Sequence, residues 1–266
     1  MILLIVLCVL PTSALVLTLT HKEKEADNGG IEPLIYYSDE EPDISDYPFY
    51  AALINCGAAI ISDHWVLTAA HCVYNMHHAT VWVGGETYSN SKQVMVDQTI
   101  VHPTFDPKEL LDDVALIKLK QPLNLSDKVQ PVLLPYSKKL KAVDGQEYYF
   151  IGRGNSETYT ADEHLQKSKM EIYSVLQCYK HYHPELYLRD RTLIERNEKV
   201  FCTLRDGNLP GVCNGDSGSP LVQGNVLIGL GSYMIAEIDA CNYPDSYLVN
   251  VEYYVPWIKN VTGLGG

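Results

Sequence analysis

Three separated segments contain side chains that could carry out nucleophilic chemistry. An apolar run ends in His71, a carboxylate pair at residues 112–113 enters another apolar run, and Ser217 is closely flanked by glycines. A serine hydroxyl is a weak nucleophile unless a neighbouring base takes its proton. A histidine can be that base, and a buried carboxylate fixes its tautomer and stabilises its positive charge. The three segments together predict a nucleophilic serine backed by a histidine–aspartate pair.

Each segment taken alone also has an ordinary structural interpretation. A histidine after an apolar run is usually a packed core residue. A serine between glycines usually lies in a turn, and an aspartate pair before a strand is usually a solvated strand start. The functional interpretation therefore requires the segments to meet in the folded chain. Gly215 adds to it, because a residue without a Cβ lets backbone N–H groups face a developing oxyanion.

The segments that must position these side chains have the pattern of β-strands. From Tyr47 onward, short runs rich in Val, Ile and Tyr alternate with Gly, Pro, Asn or Asp. Runs of this length and spacing are typical of an all-β sandwich or barrel. The exception is the C-terminal segment 252–261, whose large apolar residues fall on one face of a helix. The proline-containing stretch 121–135 is a candidate connection between two β-halves.

The composition narrows the class of protein. The chain has 266 residues, of which 46% are apolar and 20% are charged, and its formal net charge is −13. Such a composition excludes a disordered chain and a polytopic membrane protein. Nucleic acid is not an expected partner, because binding phosphates requires a cationic face.

The N-terminus has the features of a secretory signal peptide, predicted at residues 1–20. Residues 2–20 carry no charge, and small residues near its end offer cleavage sites. An uncleaved membrane anchor is the alternative, since the run approaches the ~20 residues that span a bilayer. We favour cleavage, because Pro11 and several hydroxyl residues interrupt the run. The chain is therefore expected to be secreted, with no membrane attachment after cleavage.

The cysteine count agrees with an oxidising compartment. Of the seven cysteines, removal of Cys8 with the signal leaves six, an even number that permits complete pairing. Their spacing contains no zinc-ligand pattern, and His181 and His183 have no nearby third ligand, so no metal is expected. Sequons at Asn124 and Asn260 predict N-glycosylation, although such tripeptides also arise by chance.

In the order His, Asp, Ser, the three segments resemble the chymotrypsin/trypsin family of secreted serine proteases. The resemblance runs from about residue 47 to 261 and includes Gly152-Arg153-Gly154, where the family usually has Gly-Trp-Gly. It implies an all-β fold of two packed antiparallel six-stranded β-barrels with a C-terminal helix. The expected bounds are about 47–135 for the first barrel, 136–252 for the second and 252–261 for the helix. The disulfides that it implies are Cys56–Cys72, Cys178–Cys202 and Cys213–Cys241.

The resemblance also assigns roles to residues. His71 is the expected general base, Asp113 its orienting carboxylate because it directly precedes the apolar run, and Ser217 the nucleophile. The backbone amides of Gly215 and Ser217 are the expected oxyanion hole. The implied reaction is hydrolysis of a peptide bond in a protein or peptide substrate through an acyl-enzyme, with no cofactor. Protein inhibitors are further expected partners, and we expect a monomer.

The activation segment departs from the family pattern. Family members are zymogens in which cleavage after a basic residue frees an Ile-Val-Gly-Gly terminus, whose amine binds the Asp before the nucleophile, here Asp216. The best-placed residue is Ile35, which follows Leu34 and lacks both glycines. We expect a propeptide at 21–34 and a protease domain at 35–266. Either another protease cuts after Leu34, or the amine contact is dispensable, or the chain is a silent homologue that binds a protein partner. We favour activity.

The specificity pocket implied by the resemblance also differs from that of trypsin. Gly211 stands where trypsins carry the Asp that binds Lys or Arg. Met234 replaces a glycine and would narrow the pocket, and Asp245 stands where a pocket-wall glycine is usual. Asp245 is either a pocket residue or a solvated turn carboxylate. The expected specificity is therefore not strictly tryptic: medium apolar residues fit, and basic residues stay open.

Overall fold

The structure, a computed structural model, describes most of the chain between residues 42 and 265. The described ranges are 42–76, 79–135, 147–154, 164–188, 198–204, 212–234 and 245–265. The expected signal peptide and propeptide lie outside these ranges, as do Ile35, Gly211 and Cys241. Within them, no helix is both long and apolar enough to cross a membrane.

The first half of the fold is one antiparallel sheet that curls on itself. Its strands are β1 (Tyr50–Leu53), β2 (Cys56–Ile60), β3 (Trp65–Thr68), β4 (Val81–Val83), β5 (Lys92–Val94), β6 (Val96–Val101) and β7 (Ala115–Leu119). They are hydrogen-bonded in the order β5-β4-β1-β2-β3-β7-β6. The two outer strands, β5 and β6, are separated in sequence only by Met95, so the sheet must curl until its edges meet there. Its seven strands thus arise because a bend at Met95 divides one strand of the expected barrel into two.

Strand residues in this sheet alternate between two apolar environments. Val66 of β3 and Ile117 of β7 belong to a cluster within the first sheet. Their neighbours Leu67 and Leu116 belong to another cluster, which continues into the second half as far as Leu230. Because successive side chains of a strand point to opposite faces, both faces of these strands are buried. The continuous apolar runs in the sequence reflect this double burial.

The second half closes into a barrel of antiparallel strands. These are β8 (Glu147–Gly152), β9 (Gln166–Ser174), β10 (Val200–Leu204), β11 (Pro220–Gln223), β12 (Val226–Tyr233) and β13 (Asp245–Asn250). The order β10-β13-β12-β11-β8-β9 is closed because β9 also pairs with β10. The predicted all-β fold with two antiparallel units is therefore confirmed.

The described helices are α1 (Val175–Tyr182), α2 (Pro184–Tyr187) and α3 (Val251–Thr262). Helix α3 begins where the Asn250 side chain accepts a hydrogen bond from the Glu252 N–H. It ends before Gly263, whose φ of 73° is the left-handed conformation that favours glycine after a helix. Tyr254 and Ile258 are buried in the cluster that joins the two halves. The predicted C-terminal helix is confirmed.

The connecting segment 121–135 is bonded to both halves. The Val132 N–H donates to the Ile60 carbonyl at 2.9 Å, which attaches the segment to the first sheet. The Leu227 N–H donates to the Leu133 carbonyl, also at 2.9 Å, which attaches it to the second barrel. The two β units are thus packed as one body, and residues from both can contribute to one site.

Candidate active site

The half-buried His71 and the buried Asp113 form a pair at the end of the first sheet. His71 lies in a 3₁₀ turn, Ala70–Cys72, directly after β3. Its Nδ1 is 2.7 Å from Asp113 Oδ2, and its backbone N–H donates to Asp113 Oδ1 at 2.8 Å. Asp113 is only 1% exposed. A carboxylate on Nδ1 selects the tautomer in which Nε2 carries the lone pair, which is the atom a base must present.

A residue from the second barrel completes the contacts of this carboxylate. The Ser232 hydroxyl, near the end of β12, donates to Asp113 Oδ2 at 2.6 Å. Both oxygens of Asp113 are therefore hydrogen-bonded, which is the condition for burying a charge. The site thus spans the two halves of the fold. Sequence reasoning had not given Ser232 this role, and no feature of its surroundings in the sequence indicates it.

The neighbouring carboxylate, Asp112, has a different environment. It accepts hydrogen bonds from the Thr104 hydroxyl at 2.7 Å and the Tyr254 hydroxyl at 2.9 Å, and Lys199 Nζ lies 2.9 Å from its Oδ1. Burial opposes its ionisation, but the hydrogen bonds from Lys199 and Thr104 outweigh burial and lower the pKa of Asp112 below its ordinary value. Asp112 therefore joins the first sheet to the second half, whereas Asp113 faces His71.

Ser217 lies where the second barrel meets strand β2. Its carbonyl accepts a hydrogen bond from the Gly57 N–H at 2.7 Å, and the next amide, that of Gly218, donates to the Gly231 carbonyl at 2.7 Å. The φ of Gly218 is 75°, and a Cβ there would collide with Thr68 and with the Gly57 carbonyl. Only glycine fits this turn, so the glycine after the serine is a requirement of the close approach between the halves.

A disulfide links the strand beside Ser217 to the turn that carries His71. Cys56, next to Gly57, is bonded to Cys72, next to His71, with Cα atoms 6.3 Å apart. Among the described residues, no hydrogen bond joins Ser217 Oγ to His71 Nε2; that nitrogen lies 3.8 Å from Cys72 Sγ instead. Cys56, His71 and Cys72 are close enough to suggest a metal site, but both sulfurs are consumed in the disulfide.

The segment before Ser217 is fixed by a buried carboxylate. Asp216 is fully buried, and its two oxygens accept the N–H groups of Gly154 at 2.8 Å and Cys213 at 2.9 Å. Gly215 has a φ of 97°, in the region that favours glycine. Within the described part of the chain, neither the Gly215 nor the Ser217 amide donates a hydrogen bond. Both remain available to an acceptor on a bound substrate.

This geometry can be compared with known proteins. The family model described as Trypsin matches residues 38–258. The chain belongs to the trypsin family. Its sequence is 31% identical to a collagenase from Hypoderma lineatum over 214 residues, covering 79% of this chain and 76% of the relative. It is 29% identical over 214 residues to phenoloxidase-activating factor 3 from Holotrichia diomphalia, covering 68% of this chain but only 58% of that protein.

Solved structures agree with the assignment to the trypsin family. A structure named HL collagenase superposes with a TM-score of 0.72 at 28% identity, covering 85% of this chain and 98% of its own. A scabies mite protein named as an inactivated protease paralogue superposes with a TM-score of 0.70 at 23% identity, covering 84% of this chain and 96% of its own. The second likeness concerns the fold alone, and it shows that the fold occurs in a protein named as inactivated.

In this trypsin-family chain, Asp245 is a buried residue of β13 rather than part of a solvated turn. It has no exposed surface, and its Oδ2 accepts hydrogen bonds from His183 Nε2 at 2.9 Å and from the Tyr247 hydroxyl at 2.5 Å. Among the described residues, its Oδ1 has no hydrogen-bond partner. Burial and the adjacent Asp245 raise the pKa of Tyr247 far above its ordinary range, so its hydroxyl remains a donor.

The remaining expected site residues are placed as follows. Met234 is half-buried and follows β12. Cys178 is bonded to Cys202, and Cys213 is also disulfide-bonded, although its expected partner lies outside the described residues. Asn124 and Asn260 are exposed. Sequence reasoning missed His183, because its aspartate partner is 62 residues away and comes from another element.

Proposed function

We propose that this trypsin-family chain is an active serine endopeptidase that uses Ser217 as nucleophile, His71 as base and Asp113 as orienting carboxylate. The observation that carries the proposal is the buried Asp113, which accepts both the ring Nδ1–H and the backbone N–H of His71. This contact leaves His71 Nε2 as the proton acceptor. Protein and peptide substrates follow from the family.

Each step of the proposed reaction moves one proton through His71. Ser217 Oγ attacks the carbonyl carbon of the substrate while its proton passes to His71 Nε2. The tetrahedral intermediate collapses, the C–N bond breaks, and His71 gives that proton to the leaving amine. Water then attacks the carbonyl carbon of the acyl-enzyme and gives a proton to His71. The bond to Ser217 Oγ breaks, and His71 returns that proton to Ser217 Oγ. The Ser217 hydroxyl must first come within hydrogen-bond distance of His71 Nε2, since catalytic hydrogen bonds often tighten only when the substrate binds.

The proposed oxyanion hole consists of the Gly215 and Ser217 amides. Its support is that neither amide has an acceptor within the described residues, while the loop that carries them is fixed by Asp216. Donors that are already oriented stabilise the developing charge without reorganisation. Removal of one such donor typically lowers kcat by about 10²–10³-fold.

We further propose that cleavage before Ile35 frees an amine that binds Asp216. The support is its position: Asp216 directly precedes Ser217, is fully buried and holds the Gly154 and Cys213 amides, so an amine bound there would act on the loop that carries the proposed oxyanion hole. We expect the mature chain to be a secreted monomer without a cofactor or metal, glycosylated at the exposed Asn124 and Asn260, and open to protein inhibitors.

The proposed specificity is broad, with medium apolar and basic side chains both accepted. Gly211 and Met234 favour apolar groups, because neither supplies a charge. Asp245 adds an acceptor for a cation, because its Oδ1 is buried and accepts no hydrogen bond within the described part of the chain. The strand that carries it is bonded to the active-site segment, since the Val212 N–H donates to Ser246 Oγ at 3.3 Å. A substrate ammonium or guanidinium that donates to Oδ1 would pair its own charge with that of the Asp245 carboxylate.

Labelling with a fluorophosphonate probe tests the proposal. The secreted protein, after N-terminal sequencing has established whether it begins at Ile35, should be labelled stoichiometrically, and the Ser217→Ala variant should not be labelled. Ser219→Ala is the matched control, because Ser219 is a fully buried serine on the same turn and should leave labelling intact. Labelling that persists in Ser217→Ala would remove Ser217 from the mechanism.

The competing function is that of a silent homologue that binds a protein partner. Two observations favour it: within the residues that the structure describes, no hydrogen bond joins Ser217 to His71, and the activation segment has Leu34 where the family has a basic residue. Absence of labelling, both before and after limited proteolysis that generates a terminus at Ile35, would exclude the enzyme and leave this function in its place. Labelling only after such proteolysis would support the enzyme and its activation together.

A further inference from the structure

A groove of about 530 Å³ lies on the first half of the fold, and none of the residues that line it takes part in the proposed chemistry. It is lined by the whole of strand β5, Lys92–Val94, and by residues of the segment 121–129. Small-ligand sites in proteins have volumes of about 300–1,000 Å³. The groove is therefore large enough to hold a small organic group.

The walls of the groove are largely apolar. The apolar residues that line it are Val83, Val94, Met95, Pro122, Leu123 and Val129. Of these, Met95 has 64% of its surface exposed. Removing apolar surface from water is favourable, and a contiguous exposed apolar wall is often a binding surface. A group that covered this wall would therefore stabilise the folded chain.

Strand β5 has one unpaired backbone edge at the groove. Among the described residues, its backbone is hydrogen-bonded to β4 alone. The Lys120 N–H still donates to the Met95 carbonyl at 2.9 Å, next to β5. The Leu123 N–H donates instead to the Asp63 carbonyl at 2.8 Å, so the chain has by then left the strand. An unpaired strand edge offers N–H and C=O groups to another amide.

The polar rim of the groove has no excess of one charge. Lys128 Nζ lies 3.8 Å from Glu86 Oε1, and the remaining charges on the rim are those of Lys92 and Asp127, which have opposite signs. The exposed side-chain amide of Gln93 has no hydrogen-bond partner within the described part of the chain. Because charge complementarity selects partners, this rim favours a neutral ligand with hydrogen-bonding groups over a strongly charged peptide.

One residue of the groove is itself a predicted attachment point for a sugar. Asn124 lines the groove and begins the sequon Asn124-Leu125-Ser126, whose three residues are exposed. In N-glycosylation, the Asn124 Nδ2 loses a proton and bonds to the anomeric carbon of N-acetylglucosamine, while the diphosphate of a lipid-linked donor leaves. A ligand tethered beside its site is present there at high effective concentration. The other sequon, at Asn260, lies on α3 and does not line the groove.

We propose that this groove is the binding site for the first N-acetylglucosamine of a glycan on Asn124, an inference that rests on the glycosylation proposed above. The acetamido group of this sugar supplies one N–H and one C=O, which match the unpaired edge of β5. Its acetyl methyl and C–H groups cover the apolar wall, and its hydroxyl groups reach the polar rim. The groove is thus filled by a neutral, covalently attached ligand and needs no partner protein.

Unfolding of the secreted, full-length protein tests the contact. Mass spectrometry of the peptide that contains Asn124 first establishes its glycosylation, and an endoglycosidase then trims the glycan to its first sugar. The trimmed protein should keep the unfolding constant of the parent, whereas Asn124→Gln should raise it about fivefold, the usual effect of one lost hydrogen bond. Asn260→Gln is the matched control and should stay within about twofold. An unglycosylated Asn124, or equal losses in the two variants, would overturn the proposal.

A mutant cycle separates the groove from general effects of glycosylation. Gln93→Ala/Met95→Ala removes two exposed side chains of the groove, and in this background Asn124→Gln should change the unfolding constant less than about twofold. Gln98→Ala/Leu133→Ala is the control background, because both residues are exposed and neither lines the groove. There Asn124→Gln should keep its full effect. A full effect in both backgrounds would overturn the proposal, because the glycan would then act without the groove.

Nuclear magnetic resonance gives a readout that does not depend on these variants. With the acetyl methyl of the sugar isotope-labelled, nuclear Overhauser effects should join it to the methyl groups of Val94, Leu123 and Val129. Their absence in protein glycosylated at Asn124 would overturn the proposal, as would effects between the groove and a second copy of the chain. Fluorophosphonate labelling of the same sample reports the proposed enzyme separately, so the failure of either proposal is distinguishable from that of the other.

Discussion

In the described part of the chain, two buried aspartates each contact a half-buried histidine, and the two carboxylates differ in how many hydrogen bonds they accept. His71 lies 2.7 Å from Asp113, and His183 lies 2.9 Å from Asp245. In both pairs a hydroxyl group also donates to the oxygen that faces the ring. The other oxygen distinguishes them: that of Asp113 accepts a backbone N–H, whereas that of Asp245 accepts no hydrogen bond from the residues that the structure describes.

This difference gives the two carboxylates different roles: one orients a histidine, and the other can bind a further donor. A carboxylate with both oxygens occupied, such as Asp113, can only hold and polarise the ring beside it. A carboxylate with a buried, empty oxygen, such as Asp245, still gains free energy from a new donor. The ring nitrogens fit this division. His71 contacts its carboxylate through Nδ1, which leaves Nε2 for the proton of Ser217, whereas His183 contacts its carboxylate through Nε2.

The largest effect is expected from breaking the first pair. Asp113→Asn should lower kcat by about 10⁴-fold, because an amide in that position favours the wrong histidine tautomer. The measurement is the rate of hydrolysis of a peptide substrate by the parent and the variant. Labelling of the parent with the fluorophosphonate probe first shows that it is active. Asp112→Asn is the matched control, since the adjacent carboxylate does not contact His71 and should retain kcat within about tenfold. A similar loss in both variants would remove the distinction between the two aspartates.

Neutralising the second pair should alter substrate preference and leave the chemistry intact. Asp245→Asn should lower kcat/KM for peptides with Lys or Arg at the cleaved position by at least about 30-fold, because a desolvated ion pair is lost. Peptides with a medium apolar residue there should be cleaved as before. A peptide library analysed for both variants measures the ratio. Parallel loss of both substrate classes would mean that Asp245 supports the fold and binds no substrate.

The two hydroxyl donors give a smaller and sharper contrast. Ser232→Ala removes one donor from Asp113 and should lower kcat/KM about tenfold for every substrate, since hydrogen bonds to charged groups contribute about 1.5–3 kcal/mol. Tyr247→Phe removes the equivalent donor from Asp245 and should instead reduce stability, with apolar substrates still cleaved normally. Steady-state kinetics and denaturation of both variants test the contrast. If Ser232→Ala lowered stability alone, its bond to Asp113 would be structural.

The sequence was most informative where a feature is local. The segments ending in His71 and around Ser217 predict their chemistry because function and fold constrain neighbouring residues in the same way. The strand pattern predicts that the first sheet belongs to a sandwich or barrel. It does not predict the bend at Met95, since the sequence there has no glycine or proline. Alternation of apolar residues predicts burial, yet it does not say which half of the fold each face contacts.

The long-range polar contacts were beyond sequence reasoning. Asp245 admitted a solvated interpretation, because its partner His183 is distant in the chain and lies at the junction of α1 and α2. Arg153 departs from the Gly-Trp-Gly sequence usual in the family, but its burial against Tyr50 depends on packing between the halves. A charged residue in a sequence indicates the surface by default, and only the fold shows when that default fails.

The smallest expected effect is that of replacing Asp112, a buried carboxylate whose partners are a lysine and two hydroxyl groups and not a histidine. Its pKa is lowered from the ordinary value of 3.8, because the hydrogen bonds from Lys199 and Thr104 outweigh burial. A lowered pKa in the folded state stabilises the fold above pH 3.8, and this stabilisation is lost as the pH falls further, through the folded-state pKa. Asp112→Asn should therefore reduce the free energy of unfolding by about 1 kcal/mol at neutral pH, because Lys199 loses its charged partner.

The difference between parent and Asp112→Asn should shrink below pH 3.8 as the carboxylate of the parent becomes protonated. Denaturation at a series of pH values measures it, and Asp97→Asn is the control, because Asp97 pairs with Lys118 at 3.4 Å on the surface. An exposed pair of that kind contributes little, so its variant should follow the parent at every pH. A constant difference between parent and Asp112→Asn across the acid range would mean that the Asp112 charge does not stabilise the junction of the two halves.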